Sequence, residues 1–199
     1  MKETCRSWKE KRVEQSIKVK YSLHTLFVLF FLFCFIGWCW ECGYHLILDH
    51  RMVNRGMLYG PWLPIYGAGG VLILVFLRPF SSHPSKLFFM ILVLCGSMEY
   101  ITGWALETIW HTRWWDYRAY TFQIQGRVSL IGLIVFGLGG LGIVYWLGPV
   151  MDKKIEQIGQ RFGNRAKIMQ WMFVLLFCID VIYSLKHPNQ GRGISTPLG

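Results

Sequence analysis

Five apolar blocks, joined by short polar connections, decide what this chain can fold into. They run from about residue 22 to 42, 63 to 77, 87 to 110, 128 to 147 and 168 to 185. A helix needs roughly 20 apolar residues to cross about 30 Å of hydrocarbon, and all but the second block are near that length. The first is almost unbroken, LHTLFVLFFLFCFIGWCW. The second is short, and Pro64, Gly67, Gly69 and Gly70 interrupt its start. Only 16% of the residues are charged, against about 25% in an ordinary soluble domain. The expected class is therefore all-α: a polytopic membrane bundle of about five transmembrane helices. The first block is longer than a signal-peptide core and no small-residue cleavage site follows it, so it is expected to stay in the chain.

Lysine and arginine placement predicts which way the bundle faces. Residues 1–20 carry seven, and the basic connection 153–167 carries five. With the amino terminus in the cytoplasm, the inner side holds fourteen and the outer side seven. That agrees with the positive-inside rule and sends the carboxyl terminus outside, in the inner (plasma) membrane. The predicted organisation is a basic segment 1–21, a four-span core 22–147, a basic connector 148–167, a fifth span 168–186 and a flexible Gly- and Pro-rich tail 187–199. The formal charge of +10 comes from residues flanking apolar spans, so anionic lipid is its expected partner and nucleic acid is not. No internal repeat of the kind that marks many secondary transporters is visible.

Between the first two blocks lies NRGMLYGPWLPIYG, residues 54–67. Lipid cannot satisfy backbone N–H and C=O groups, so irregular chain at membrane depth must be buried in protein or line a wet cavity. The stretch is expected to be a site, or a tight hairpin packed under one. Glu41, Glu99, Glu107 and Asp180 lie in or at the ends of apolar spans. Ionisable residues there are costly, and they read by default as functional. At 1.5 Å per residue, Glu41 and Glu107 fall at the outer boundary, and Glu99 and Asp180 fall near the middle. One outward-facing polar pocket would unite the carboxylates, the broken stretch, the loop HTRWWDYR (111–118) and Arg127. Arg55, Arg113, Arg118 and Arg127 would be its counter-ions, and Trp62, Trp114 and Trp115 its rim. An aromatic belt at the membrane interface is the competing reading of the tryptophans.

Other chemistry is weaker. Glu41 and His45 stand four apart, as do Glu107 and His111, so each pair shares a helix face and a metal site is imaginable. Boundary histidines meeting water explain them more simply, and no metal or other cofactor is expected. Cys39 and Cys42 form a C-x-x-C inside an apolar helix, where a small buried hydrophobe is the better reading. The run GLGGLG, 137–142, mimics a dinucleotide fingerprint, but close packing of helices through small residues accounts for it. Walker A, G-x-S-x-G and H-E-x-x-H motifs are missing from the sequence, so the chain does not hydrolyse ATP by a P-loop mechanism.

The runs GWCWE (37–41), NRGMLYGPWLPIYG (54–67), EYITGWALE (99–107), RWWDY (113–117) and GRVSLIGLIVFG (126–137) together resemble the small bacterial type IV ABC-transporter permease family called CmpB-like. The resemblance covers about residues 23–150. It implies a multi-span inner-membrane protein. The shared polar and turn positions it implies are Glu41, Asn54, Arg55, Gly56, Tyr59, Gly60, Pro61, Pro64, Tyr66, Gly67, Glu99, Glu107, Trp114, Trp115, Asp116, Tyr117, Gly126 and Arg127. His45 and His111 are outside that pattern. The pattern has Cys-Leu after Gly-Arg, where this chain has Val128-Ser129-Leu130.

Two functions follow. A transport subunit would bind a small polar or amphiphilic solute, or a lipid, between the spans, with an ATPase on another chain supplying energy. An intramembrane enzyme would act on a lipid or envelope precursor, using paired carboxylates and arginines around a phosphate-bearing headgroup. Either would draw its binding residues from Glu41, Asn54, Arg55, Tyr59, Tyr66, Glu99, Glu107, Arg113, Trp114, Trp115, Asp116, Tyr117 and Arg127.

Overall fold

A computed structural model describes residues 20–48, 50–191 and 193–198. The basic segment predicted at the amino terminus lies, up to residue 19, outside the described residues. The chain is an α-helical membrane bundle. Helix α1 spans Leu23–Leu48. Helix α2, Pro64–Leu72, runs on through a π-turn, Ile73–Leu77, and a 3-10 turn, Arg78–Phe80. Helix α3 is Pro84–Trp110. Helix α4, Leu130–Gly142, continues through a π-turn, Ile143–Leu147, into α5, Gly148–Phe162. Helix α6 is Asn164–Lys186. Four helical stretches are long and apolar enough to span a membrane: Leu23–Leu48, Pro84–Trp110, Leu130–Phe162 and Asn164–Lys186. Pro64–Phe80 is shorter.

Several boundaries differ from those expected. Helix α1 runs six residues past Cys42. The predicted fourth span and most of the connector are one 33-residue helix, about 50 Å long. Apolar content alone cannot mark that continuation, because a helix keeps its hydrogen bonds when it leaves the bilayer. The break comes at Gly163, whose φ is +48°.

Close approach of α1 and α2 organises one side of the bundle. A Cβ on Gly67 would lie 2.7 Å from the Phe30 carbonyl oxygen and would also strike the Cys34 sulfur. A Cβ on Gly37 would overlap the Tyr66 ring. Small residues let backbones meet where lipid provides no hydrophobic drive to pack. The same logic explains GLGGLG: Gly137 faces Phe88 and Leu92, Gly140 faces Ile91, and Gly139 and Gly142 touch nothing. The core joins Leu29 and Phe33 of α1, Ile73, Leu74 and Leu77 after α2, Leu87 and Ile91 of α3, Val144 and Ile155. Helix α6 is peripheral. Phe177 packs edge-on against Phe30, Phe31 and Trp62, while Trp171, Leu175, Ile179 and Ile182 are exposed.

The bundle has two unlike ends. At one, Gly148 packs on the Tyr21 hydroxyl, and the Tyr145 hydroxyl donates to the Ser81 carbonyl at 2.5 Å. At the other, the connections 49–63 and 111–129 meet the tail. Here Thr112–Arg113 (β1) pairs antiparallel with Thr196–Pro197 (β4), and Gln123–Ile124 (β2) pairs with Val128–Ser129 (β3). The β2–β3 turn has Gln125 at φ +51° and Gly126 at φ +72°, the double positive φ of a tight hairpin. Ser129 then caps α4, accepting from the Gly132 N–H at 3.1 Å. That gives this position, where the chain departs from the resembled pattern, a structural role.

Candidate functional site

The 54–67 stretch resolves its backbone hydrogen bonds through protein. The Tyr59 and Gly60 N–H groups donate to the Asp180 carboxylate at 3.1 and 2.8 Å, and the Trp62 indole joins them at 2.7 Å. The Leu63 N–H donates to the Cys34 carbonyl at 3.1 Å. From the tail, Asn189 donates its side-chain amide to the carbonyls of Asn54 and Gly56, and its backbone N–H to Met57. Irregular chain therefore exists here because buried groups from α6 and the tail replace water. Asp180 was expected near mid-membrane, as one of the carboxylates of a single pocket. It instead holds this hairpin, together with Ser184.

Glu107 is the hub of a second cluster. It is 7% exposed. Arg113 reaches its Oε1 at 3.1 Å, and Arg127 reaches its Oε2 at 2.5 Å through Nη2 and 3.1 Å through Nε. Arg127 also donates to Gln125 and lies over the Tyr100 ring. The Trp115 indole donates to the Arg127 carbonyl at 2.8 Å. Gly103 makes room for this: a Cβ there would sit 3.3 Å from Trp115 and 3.4 Å from Arg127. Asp116, predicted in the same site, reaches Arg113 at 3.4 Å and pairs with Arg118 at 2.6 Å. That guanidinium holds the Asp116 carboxyl below its usual range.

A third cluster lies deeper. The Tyr66 hydroxyl donates to Glu41 at 2.5 Å. The Tyr117 hydroxyl, carried inward by the 111–129 loop, donates to Glu99 at 3.0 Å. Glu41 and Glu99 are in electrostatic reach of one another and of both tyrosines. Glu99 is 4% exposed, and its Oε2 is a buried oxygen without a hydrogen-bond partner. Such an orphan costs about 1–3 kcal/mol. Among the described residues neither carboxylate has an ion-pair partner.

Because α1 runs on to Leu48, Glu41 sits about 10 Å before the helix end. Glu99 lies about 16 Å below the end of α3, and the two tyrosines bridge the difference. Leu87, Ile91, Glu99, Gly103 and Glu107, spaced by four or eight residues, form one buried stripe. That stripe winds about the helix, and the 111–129 loop follows it.

The remaining predicted residues lock the loops. The Trp38 indole donates to Asn54 at 2.5 Å, and Asn54 donates to the Tyr59 carbonyl. Arg55, expected to pair with carboxylates, donates to the carbonyls of Gly193, Ile194 and Trp114 at 2.7, 2.9 and 2.6 Å. The Trp114 indole donates to the Asn189 carbonyl. All three predicted rim tryptophans thus have their N–H groups engaged within the protein. The tail, expected to be flexible, is tied down at Asn189 and at β4. Its glycines turn it back so that its carbonyls face Arg55. Sequence reasoning missed Asn189, Trp38, Tyr100 and Gln125 as partners, and no local pattern marks them. The described cysteines are free thiols, Cys39 exposed and Cys42 buried. Among the described residues no three His, Cys, Asp or Glu side chains converge as metal ligands would.

Removing the Arg55 lock should free the tail selectively. Arg55→Ala leaves three carbonyls without their donor. Limited proteolysis should then cut after residue 187 at least ten times faster, with the helices protected. Unchanged cleavage would show that Asn189 and β4 hold the tail without Arg55.

No curated protein and no solved structure matches the chain. One family model does, over residues 28–185, and its description reads "Putative ABC-transporter type IV". That match covers most of the chain, including the Glu107 cluster and the deeper Glu41–Glu99 cluster. The chain therefore belongs to this ABC-transporter type IV family, CmpB.

Proposed function

We propose that the chain is the permease subunit of an ABC-type importer or exporter in the bacterial inner membrane. It passes a small polar or amphiphilic solute through the bundle, and a separate ATPase chain supplies the energy. The observation that carries this reading is the Glu41–Tyr66 and Glu99–Tyr117 cluster. A bundle selected only to be stable would have no reason to place two carboxylates, one of them buried, within its spans with no basic partner among the described residues. Glu107, Arg113 and Arg127 close over the cluster at the loop end. The opposite end, which among the described residues carries Arg78, Lys86, Lys153, Lys154 and Arg161, faces the cytoplasm and the ATPase, where α5 projects beyond the bilayer.

An enzyme working on a phosphate-bearing headgroup would need arginines free to receive it. Arg113 and Arg127 both pair with Glu107, and Arg55 is held on carbonyls, which favours transport. Affinity purification of the tagged chain from its native membrane tests the proposal. A nucleotide-hydrolysing protein should copurify in fixed ratio, and Lys153→Glu with Lys154→Glu on exposed α5 should release it. Purification of the chain with no ATPase, under conditions that keep it folded, would contradict the proposal.

A further inference from the structure

We propose that Glu41 and Glu99, with the Tyr66 and Tyr117 hydroxyls, form the binding site for an ammonium group on the transported solute. The proposal rests on the transport reading and names the solute's class. Both tyrosine hydroxyls already donate to the carboxylates, so what the cluster lacks is a donor, not an acceptor. Glu99 Oε2 is the unanswered acceptor, on a side chain 4% exposed. An ammonium supplies several N–H donors and one positive charge on a compact group. It would satisfy that oxygen and relieve the repulsion between two neighbouring carboxylates.

The surroundings discriminate among ligands. A phosphate or carboxylate solute would meet two acidic groups here, while the nearby arginines are paired with Glu107. A hard divalent metal would want six or more oxygen ligands, or octahedral water. No third acidic, His or Cys side chain among the described residues converges with this pair. Cys95, near Glu99, adds a small, weakly polar wall.

The test uses the purified full chain in maltoside detergent, which carries no amine. Thermal unfolding is followed with methylammonium chloride or ethanolamine chloride, against sodium chloride and sodium glycerol phosphate at equal ionic strength. A ligand that binds only the folded state raises Tm with concentration. Either ammonium probe should raise it by about 5 °C near saturation, with glycerol phosphate indistinguishable from sodium chloride. Glu99→Gln and Glu41→Gln should abolish the rise. Tyr66→Phe keeps the ring packing and should raise the half-effective concentration about tenfold, so the proposal stays testable if a Gln variant misfolds. Three results would overturn it: no response to either probe, an undiminished response in Glu99→Gln, or a response to glycerol phosphate alone. A Tm that responds to pH but not to ammonium would assign the pair to a proton and also overturn it. Copurification of an ATPase is independent of this outcome, so the site can fail while the transport reading stands, and the reverse.

Discussion

Glu107→Ala is expected to be the most damaging single change at the loop end. It removes the shared partner of Arg113 and Arg127, whose side chains are 11% and 13% exposed. Stripping one partner from a buried ion pair costs about 3–5 kcal/mol, because the remaining charge stays desolvated. For a chain of this size that is on the order of 10 °C in Tm. Glu107→Gln should fall nearly as far, since the amide keeps the shape but not the charge. Arg127→Met combined with Glu107→Met should recover part of the loss. The check is thermal unfolding of purified variants in one detergent. A Glu107→Ala protein within 1 °C of the parent would mean that water, and not Glu107, carries these arginines.

Glu99→Gln should behave in the opposite way. Gln matches the volume of the acid and can accept from Tyr117, and Glu99 anchors no ion pair. Stability should therefore move by less than about 1 kcal/mol, the scale of one exchanged neutral hydrogen bond. Transport should fall at least tenfold, read as solute-dependent ATP hydrolysis by the reconstituted assembly or as growth of a strain relying on this chain. Glu41→Gln should match it. If Glu99→Gln loses stability but keeps its specific activity, the deep cluster is scaffold. The contrast with Glu107 matters because both carboxylates lie on one stripe of α3, eight residues apart, and only their partners distinguish them.

The class of fold was legible because the bilayer permits so little else: long apolar runs must be helices. The polar residues worth attention were legible for the same reason. Their partners were not. Nothing near Asp180 in the sequence shows that it serves N–H groups around residue 60, over a hundred positions away. Nor does anything near Arg55 announce three carbonyls, two of them in the tail. Charge matching pointed Arg55, Arg113 and Arg127 alike to carboxylates, and of these Arg113 and Arg127 pair with Glu107. A guanidinium satisfies carbonyls equally well, however, and geometry alone decides between them. The end of the first helix was misjudged because hydropathy fell at Cys42 while the helix ran on to Leu48. The tail looked mobile from its glycines, yet the same freedom lets it turn back under the loops. Close packing was legible in GLGGLG, where Gly137 and Gly140 mark a helix contact, whereas Gly67, read as a break, and Gly37 make theirs unannounced.

The central claim is that five passes place the polar loops and tail on the outer face, with the ATPase-facing end opposite. Single cysteines at exposed Ala119, Gly191, Ser82 and Gly163, in a chain stripped of native cysteines, test it with a membrane-impermeant maleimide on intact cells. Ala119 and Gly191 should label directly, and Ser82 and Gly163 only after permeabilisation. Labelling of Gly163 but not Ala119 would reverse the orientation. Labelling from outside of both Ser82 and a further cysteine at exposed Met52 would show that Pro64–Phe80 does not cross, and the five-pass account would fall.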